Sequence, residues 1–283
     1  MTGGLNRLIK DNYQKWFQSY VEKYGDIPEI ALKRTHSLRV ATQMEHVFKL
    51  LKFSEDYTVL ANFVGLFHDI GRFEQWRNYN TFNDNKSVDH ADYSADKLIK
   101  DGLISEIISI RDYDKLIYDA IKYHNKLFLP NNLNIKNEQI FQNNLDLNTA
   151  IKDNYRALTS LYSMAIRDID KIDILYQYLL SNYFLNTDNL PVTDKVAENF
   201  FNNQIIDKRD RKNLNDALVL RLSFINDINL TKSLVLIKNN DFINKIRSVY
   251  PDKNNMTKFF IYAEDRLNQL IEDNYNHEYV LKK

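Results

Sequence analysis

Only 6 glycines and 4 prolines punctuate the 283 residues of this chain. At average usage a chain of this length would carry roughly 20 and 14. Tight turns between strands consume both residue types. β-Sandwiches, doubly wound α/β folds and glycine-rich phosphate loops are therefore disfavoured, and the expected class is all-α. The length suggests one or two domains, and 44% hydrophobic residues are enough for a core.

Further exclusions follow from charge and cysteine. Lys plus Arg and Asp plus Glu are 38 each, so no global basic field exists to hold polymeric nucleic acid. With no cysteine, zinc fingers, iron–sulfur clusters, thiol catalysis and disulfide staples are all removed. Any metal must be held by imidazole and carboxylate. The first residues contain no apolar stretch of signal-peptide type, and no window approaches a membrane span. The expected setting is the cytoplasm.

Periodicity predicts helices over about 5–24, ending at Gly25, and from Pro28 to about Phe53. In the second of these, His36, Val40, Met44, Val47 and Leu51 recur at three- and four-residue steps, which places His36 on the apolar stripe. A third helix begins after Ser54, carries Leu60, Val64 and Phe67 inward and stops at the sequence HDIG, with Gly71 just past its end. Residues 72–88, polar and rich in Asn and aromatics, read as a loop. Another helix is expected over 89–100. Over 112–125, Ile117, Ala120, Ile121 and His124 share one face.

Residues 126–148 read as a long connection able to cover a pocket. A helical pattern then runs from Thr149 through Asp170 to about Leu185. Three or four more helices are expected, near 192–203, 209–227, 231–248 and 255–274. The expected organisation is a metal-binding helical domain over 1–187 and a helical C-terminal extension over 188–283, packed on the same domain.

Four of the six histidines fall on or beside these helices, in the order His36, His68, His90 and His124. Asp69 follows His68 directly, and Asp170 lies in the run AIRDIDKIDIL. Each gap between them is long enough to leave one helix and return on another. A bundle can then aim all six side chains at one interior point, as di-metal bundle sites do. His46 and His277 are left as surface or capping residues.

The order H…HD…H…H…D resembles the HD-domain metal-dependent phosphohydrolases. The elements HSLRV, LFHDIGRF, DHADYSADKL, IKYHN and IRDIDKIDIL carry the resemblance over about residues 30–175. It implies an HD-type helical bundle in which His36, His68, Asp69 and Asp170 hold one metal, while His90 and His124 hold a second with Asp69 bridging. Asp170 is preferred to Asp168 and Asp173 as the middle acid of D-x-D-K.

Such ligands suit manganese or iron first, with zinc, magnesium, nickel or cobalt also compatible. One or two divalent ions are expected. The resemblance further implies hydrolysis of a phosphoester or phosphoanhydride in a small, nucleotide-like substrate, with Asp69 in the catalytic centre. Arg72 occupies the position where the family often has a basic residue facing substrate; Arg39 and Lys171 are further candidates for substrate binding. Phe73, Trp76, Tyr79 and Phe82 could stack a base, although packing is the simpler reading.

Two alternatives belong to other classes. One is an HD-type di-iron oxygenase; the other is a non-catalytic HD ligand-binding module, for which a missing ligand would be the sign. None is missing.

Overall fold

The structure is a computed structural model that describes residues 6–126, 128–133, 146–180, 190–204, 206–251 and 253–280. Every element among the described residues is helical. None of the helices is long and apolar enough to cross a membrane. The chain divides into two compact units, Met1–Ile169 and Asp170–Lys283. The boundary expected at 187/188 falls outside the described residues, as does most of the expected cover over 126–148.

In the first unit, α1 (Arg7–Glu22) is capped by Asn6, whose side chain accepts from the Ile9 N–H. It sets Tyr13 and Phe17 edge-on against Phe63 and Phe67 of α3 (Glu55–Phe67). α2 (Pro28–Leu50) starts on Pro28, whose absent N–H would have had no helical partner in any case. His36, Val40, Met44 and Val47 are buried along α2 at the expected spacing. Leu51, the last member of that stripe, is only half-buried and caps the helix.

α3 is buried on all sides from Tyr57 to Phe67, which makes it the central helix of the unit. α2 meets it at Gly65, where a Cβ would stand 2.8 Å from the Ala41 Cα. Only glycine permits that approach.

The loop expected over 72–88 is corrected: α4 (Gly71–Tyr79) occupies its first half, followed by a 3-10 turn at Asp84–Lys86. Polar composition hid the helix. Arg72 and Gln75 are buried because they hydrogen-bond to each other and to the turn, not because they are apolar. Gly71 is accordingly a helical residue rather than a left-handed cap. Its N–H donates to Ser94 Oγ at 3.0 Å, and a Cβ there would press on Tyr93 and Ser94. Phe73 is a core residue.

α5 (His90–Ala95) is capped by the Asp89 side chain and passes into a π-helical turn at Asp96–Lys100. α6 (Ile104–Ile107), α7 (Asp114–Lys122) and the first part of α8 (Leu147–Leu180) complete the unit. α8 is kinked at Asn154, which has non-helical φ/ψ.

The second unit contains the last part of α8 together with α9 (Asp194–Phe201), α10 (Leu214–Leu222), α11 (Thr231–Asn239), α12 (Phe242–Val249) and α13 (Lys253–Val280). The single helix expected over 231–248 is two, broken where Asp241 takes φ +53°. Lys52, Asn80 and Asn203 adopt the left-handed region as well. Asn and Asp tolerate it through local hydrogen bonding, which is how the chain turns with so few glycines. His277 lies on α13, and its side chain is outside the described residues.

Candidate metal centre

Five of the six expected ligands meet in the first unit. His36 comes from the third turn of α2, His68 and Asp69 from the end of α3, His90 from the first residue of α5, and His124 from just beyond α7. All five are buried.

The Asp69 carboxylate divides them into two halves. Its Oδ2 lies 3.5 Å from His36 Nε2 and 3.7 Å from His68 Nε2. Its Oδ1 lies 3.6 Å from His90 Nε2 and 3.8 Å from His124 Nε2. Within the halves, the two Nε2 atoms are 3.2 Å apart in the first and 3.1 Å apart in the second.

The far side of three of the four rings fixes the tautomer. His68 Nδ1 meets the Gly65 carbonyl at 2.7 Å, and His124 Nδ1 meets the Ile121 carbonyl at 2.6 Å. His90 Nδ1 meets Asp84 Oδ2 at 2.6 Å. These oxygens can only accept, so each Nδ1 carries the proton and each Nε2 presents a lone pair inward. Two such lone pairs 3.1 Å apart repel each other unless a cation lies between them. Ligands about 2.0–2.1 Å from a shared ion stand roughly 3–3.5 Å from each other, which matches both halves. Asp69 Oδ1 is also buried without a hydrogen-bond partner. The donor set therefore fits one divalent ion in each half, with Asp69 between them.

Charge reinforces the arrangement. Burial pushes the Asp69 carboxyl up, but its charged neighbours, Lys33 first and Arg72 after it, hold it well below the usual carboxylate range. Lys33, 2.7 Å from Asp69 Oδ2, was not singled out by the sequence. Its signal was its place three residues before His36, on the same face of α2.

Other supports were equally hidden. Asp89 accepts from Asn125 Nδ2 at 3.0 Å and from Lys126 Nζ at 2.7 Å, tying the His90 helix to the turn carrying His124. Buried Arg167 donates to the carbonyls of Tyr123 and Lys126 on either side of His124.

The expected substrate residues lie on α4, α2 and α8. Arg72 Nη1 donates to Gln75, to the Phe82 carbonyl and to Asp84, while its Nε lies 3.6 Å from Asp69 Oδ1. Arg39 is half-buried on α2, three residues beyond His36. Lys171 pairs with Asp227 at 3.1 Å in the second unit. Asp170 is the first residue of that unit and half-buried. Trp76 and Phe82 pack on each other, their ring centres 4.9 Å apart, while Tyr79 is exposed and His46 is on the surface.

A helical unit that gathers four imidazoles around one carboxylate defines a metal-binding protein class. The HD domain family model matches residues 34–175, half of the chain, and the protein belongs to that family. HD domains form a superfamily of mostly metal-dependent phosphohydrolases. No curated relative and no solved structure matches the chain.

Proposed function

We propose that the protein is a divalent-metal-dependent phosphohydrolase cleaving a phosphoester or phosphoanhydride of a small, nucleotide-like substrate. The observation that carries this reading is the set of four imidazole Nε2 atoms arranged on both sides of the Asp69 carboxylate. His36, His68, Asp69 and Asp170 would hold one ion, and Asp69, His90 and His124 the second. Manganese or iron suits these donors best. When bound, such ions supply Lewis-acid charge to a phosphoryl oxygen and bring the pKa of water toward neutrality.

The chain's own groups complete the site. Asp69 stays ionised and so remains a ligand across the physiological range. Lys33 and Arg72 place positive charge beside it, where an anionic phosphate would be stabilised. Arg72 Nε, buried with no hydrogen bond, faces the Asp69 carboxylate at 3.6 Å. Arg39 and Lys171 complete the proposed substrate-binding set. Zero net charge favours a small substrate over a polymer.

The test is metal analysis of the purified protein, followed by a manganese-supplemented screen of phosphomonoesters, cyclic nucleotides and nucleotide anhydrides. Hydrolysis that disappears in Asp69→Ala supports the reading. Full activity in that variant, or mixed-valent iron with oxygen uptake, overturns it.

A further inference from the structure

The inward-facing rings are not held in the same way. His68 and His124 each donate Nδ1–H to a carbonyl three residues earlier in their own chain segment. Their orientation is a by-product of local helix geometry. His90 instead donates to a side-chain carboxylate, that of Asp84, in the 3-10 turn six residues before it.

Asp84 is itself held firmly. Its Oδ1 accepts from Arg72 Nη1 at 2.9 Å and from Gln75 Nε2 at 3.2 Å. Gln75 further anchors the segment by donating to Ser87 Oγ at 2.8 Å and to the Val88 carbonyl at 3.1 Å. A closed ring of polar contacts results. Asp69 faces Arg72, Arg72 pairs with Asp84, Asp84 holds His90, and His90 Nε2 returns to Asp69 at 3.6 Å.

From this ring we infer that Asp84 is a positioning residue for the second metal half-site, acting through His90. It fixes the Nδ1–H tautomer and makes Nε2 a stronger donor than a ring held by a backbone carbonyl. Arg72 and Gln75 act one step further out by fixing Asp84. Metal-bound histidines are commonly oriented by such carboxylates, and losing the partner weakens metal binding by about 10–100-fold. The inference rests on reading His90, His124 and Asp69 as a metal half-site. It goes beyond that reading by making the affinity of one half depend on a residue that touches no metal. The first half, built on His36 and His68, has no contact with Asp84 among the hydrogen bonds that orient it.

The experiment titrates manganese(II) into the metal-depleted full chain by calorimetry, comparing wild type, Asp84→Asn and His90→Ala. Asp84→Asn keeps the size of the side chain and removes its charge. The expected result is that one affinity falls by about 10–100-fold in Asp84→Asn, the other stays at the wild-type value, and the metal-free melting temperature is unchanged. His90→Ala is expected to lose the weakened site altogether.

Wild-type affinities in Asp84→Asn overturn the inference, and so does equal weakening of every site with a lower metal-free melting temperature. The underlying reading fails separately, if His90→Ala binds manganese as the wild type does. Asp84→Glu, which restores the charge one methylene further out, should recover part of the lost affinity; a variant no better than Asp84→Asn would overturn the role of the charge.

Discussion

Each unit buries a carboxylate, and the two are served very differently. Asp216, in the second unit, is fully buried and accepts from the Thr193 N–H at 2.8 Å, the Lys212 N–H at 2.8 Å and the Thr193 hydroxyl at 3.1 Å. Beside it, Asn215 takes the Tyr250 hydroxyl and donates to the Leu190 carbonyl. Asp69, in the first unit, has one lysine on Oδ2, no hydrogen bond on Oδ1 and four imidazoles around it.

A buried charge is tolerated when the protein supplies its donors. Asp216 is supplied by backbone that must be folded for the donors to be there, so it serves the fold. Asp69 is under-supplied by protein donors, and the deficit has the shape of a cation.

The sharpest way to break this contrast is to remove each carboxylate. Asp69→Ala should lose bound metal and about 10³-fold or more of the hydrolytic activity, while the metal-free melting temperature holds or rises. Metal content and calorimetry check both parts. Asp216→Ala should do the reverse. Buried donors left unpaired cost about 1–3 kcal/mol each, so a loss of about 2–4 kcal/mol is expected in denaturant unfolding, with metal stoichiometry unchanged.

Gly65→Ala tests whether packing and site are coupled. Overpacking at a tight helix crossing costs about 1–3 kcal/mol, and here it should weaken metal binding too.

The smallest effect concerns Glu45, a partly buried carboxylate of the first unit served by Lys10, Lys49 and Asn62. Burial pushes its carboxyl up, but the two lysines carry it below the usual range. A lowered folded-state value means the contribution is present above the ordinary glutamate range and fades as pH falls through the lowered one. Glu45→Gln should therefore narrow the stability difference between pH 7 and pH 3, as read by melting temperature.

Much of the centre was legible before any coordinates. His36 and His124 announced themselves as polar residues on apolar stripes, and His68–Asp69 closed a helix in the expected motif. α4 was missed because helical periodicity is read from apolar residues, and its buried face is partly made of Arg72 and Gln75. Lys33, Asp84, Asp89 and Arg167 were missed or undervalued for a related reason. In a chain with this many charges, a charge turned inward to hold a ligand looks like one facing water. Only the partner distinguishes them, and partners such as Arg167 and Tyr123 are far apart in sequence. The break at Asp241 likewise depends on a backbone conformation that no side-chain pattern records.

Gly65 gives the centre an unusual dependence. The atom it lacks lets α2 rest against α3, and its carbonyl turns the His68 ring. One residue is thus both the spacer between the helices that carry His36 and His68 and the stop that aims one of the rings. A centre gauged by backbone contact has little slack to adapt to ions of different radius. Substitutions that exchange one metal for another should therefore be sought at the helix crossing as well as among the ligands.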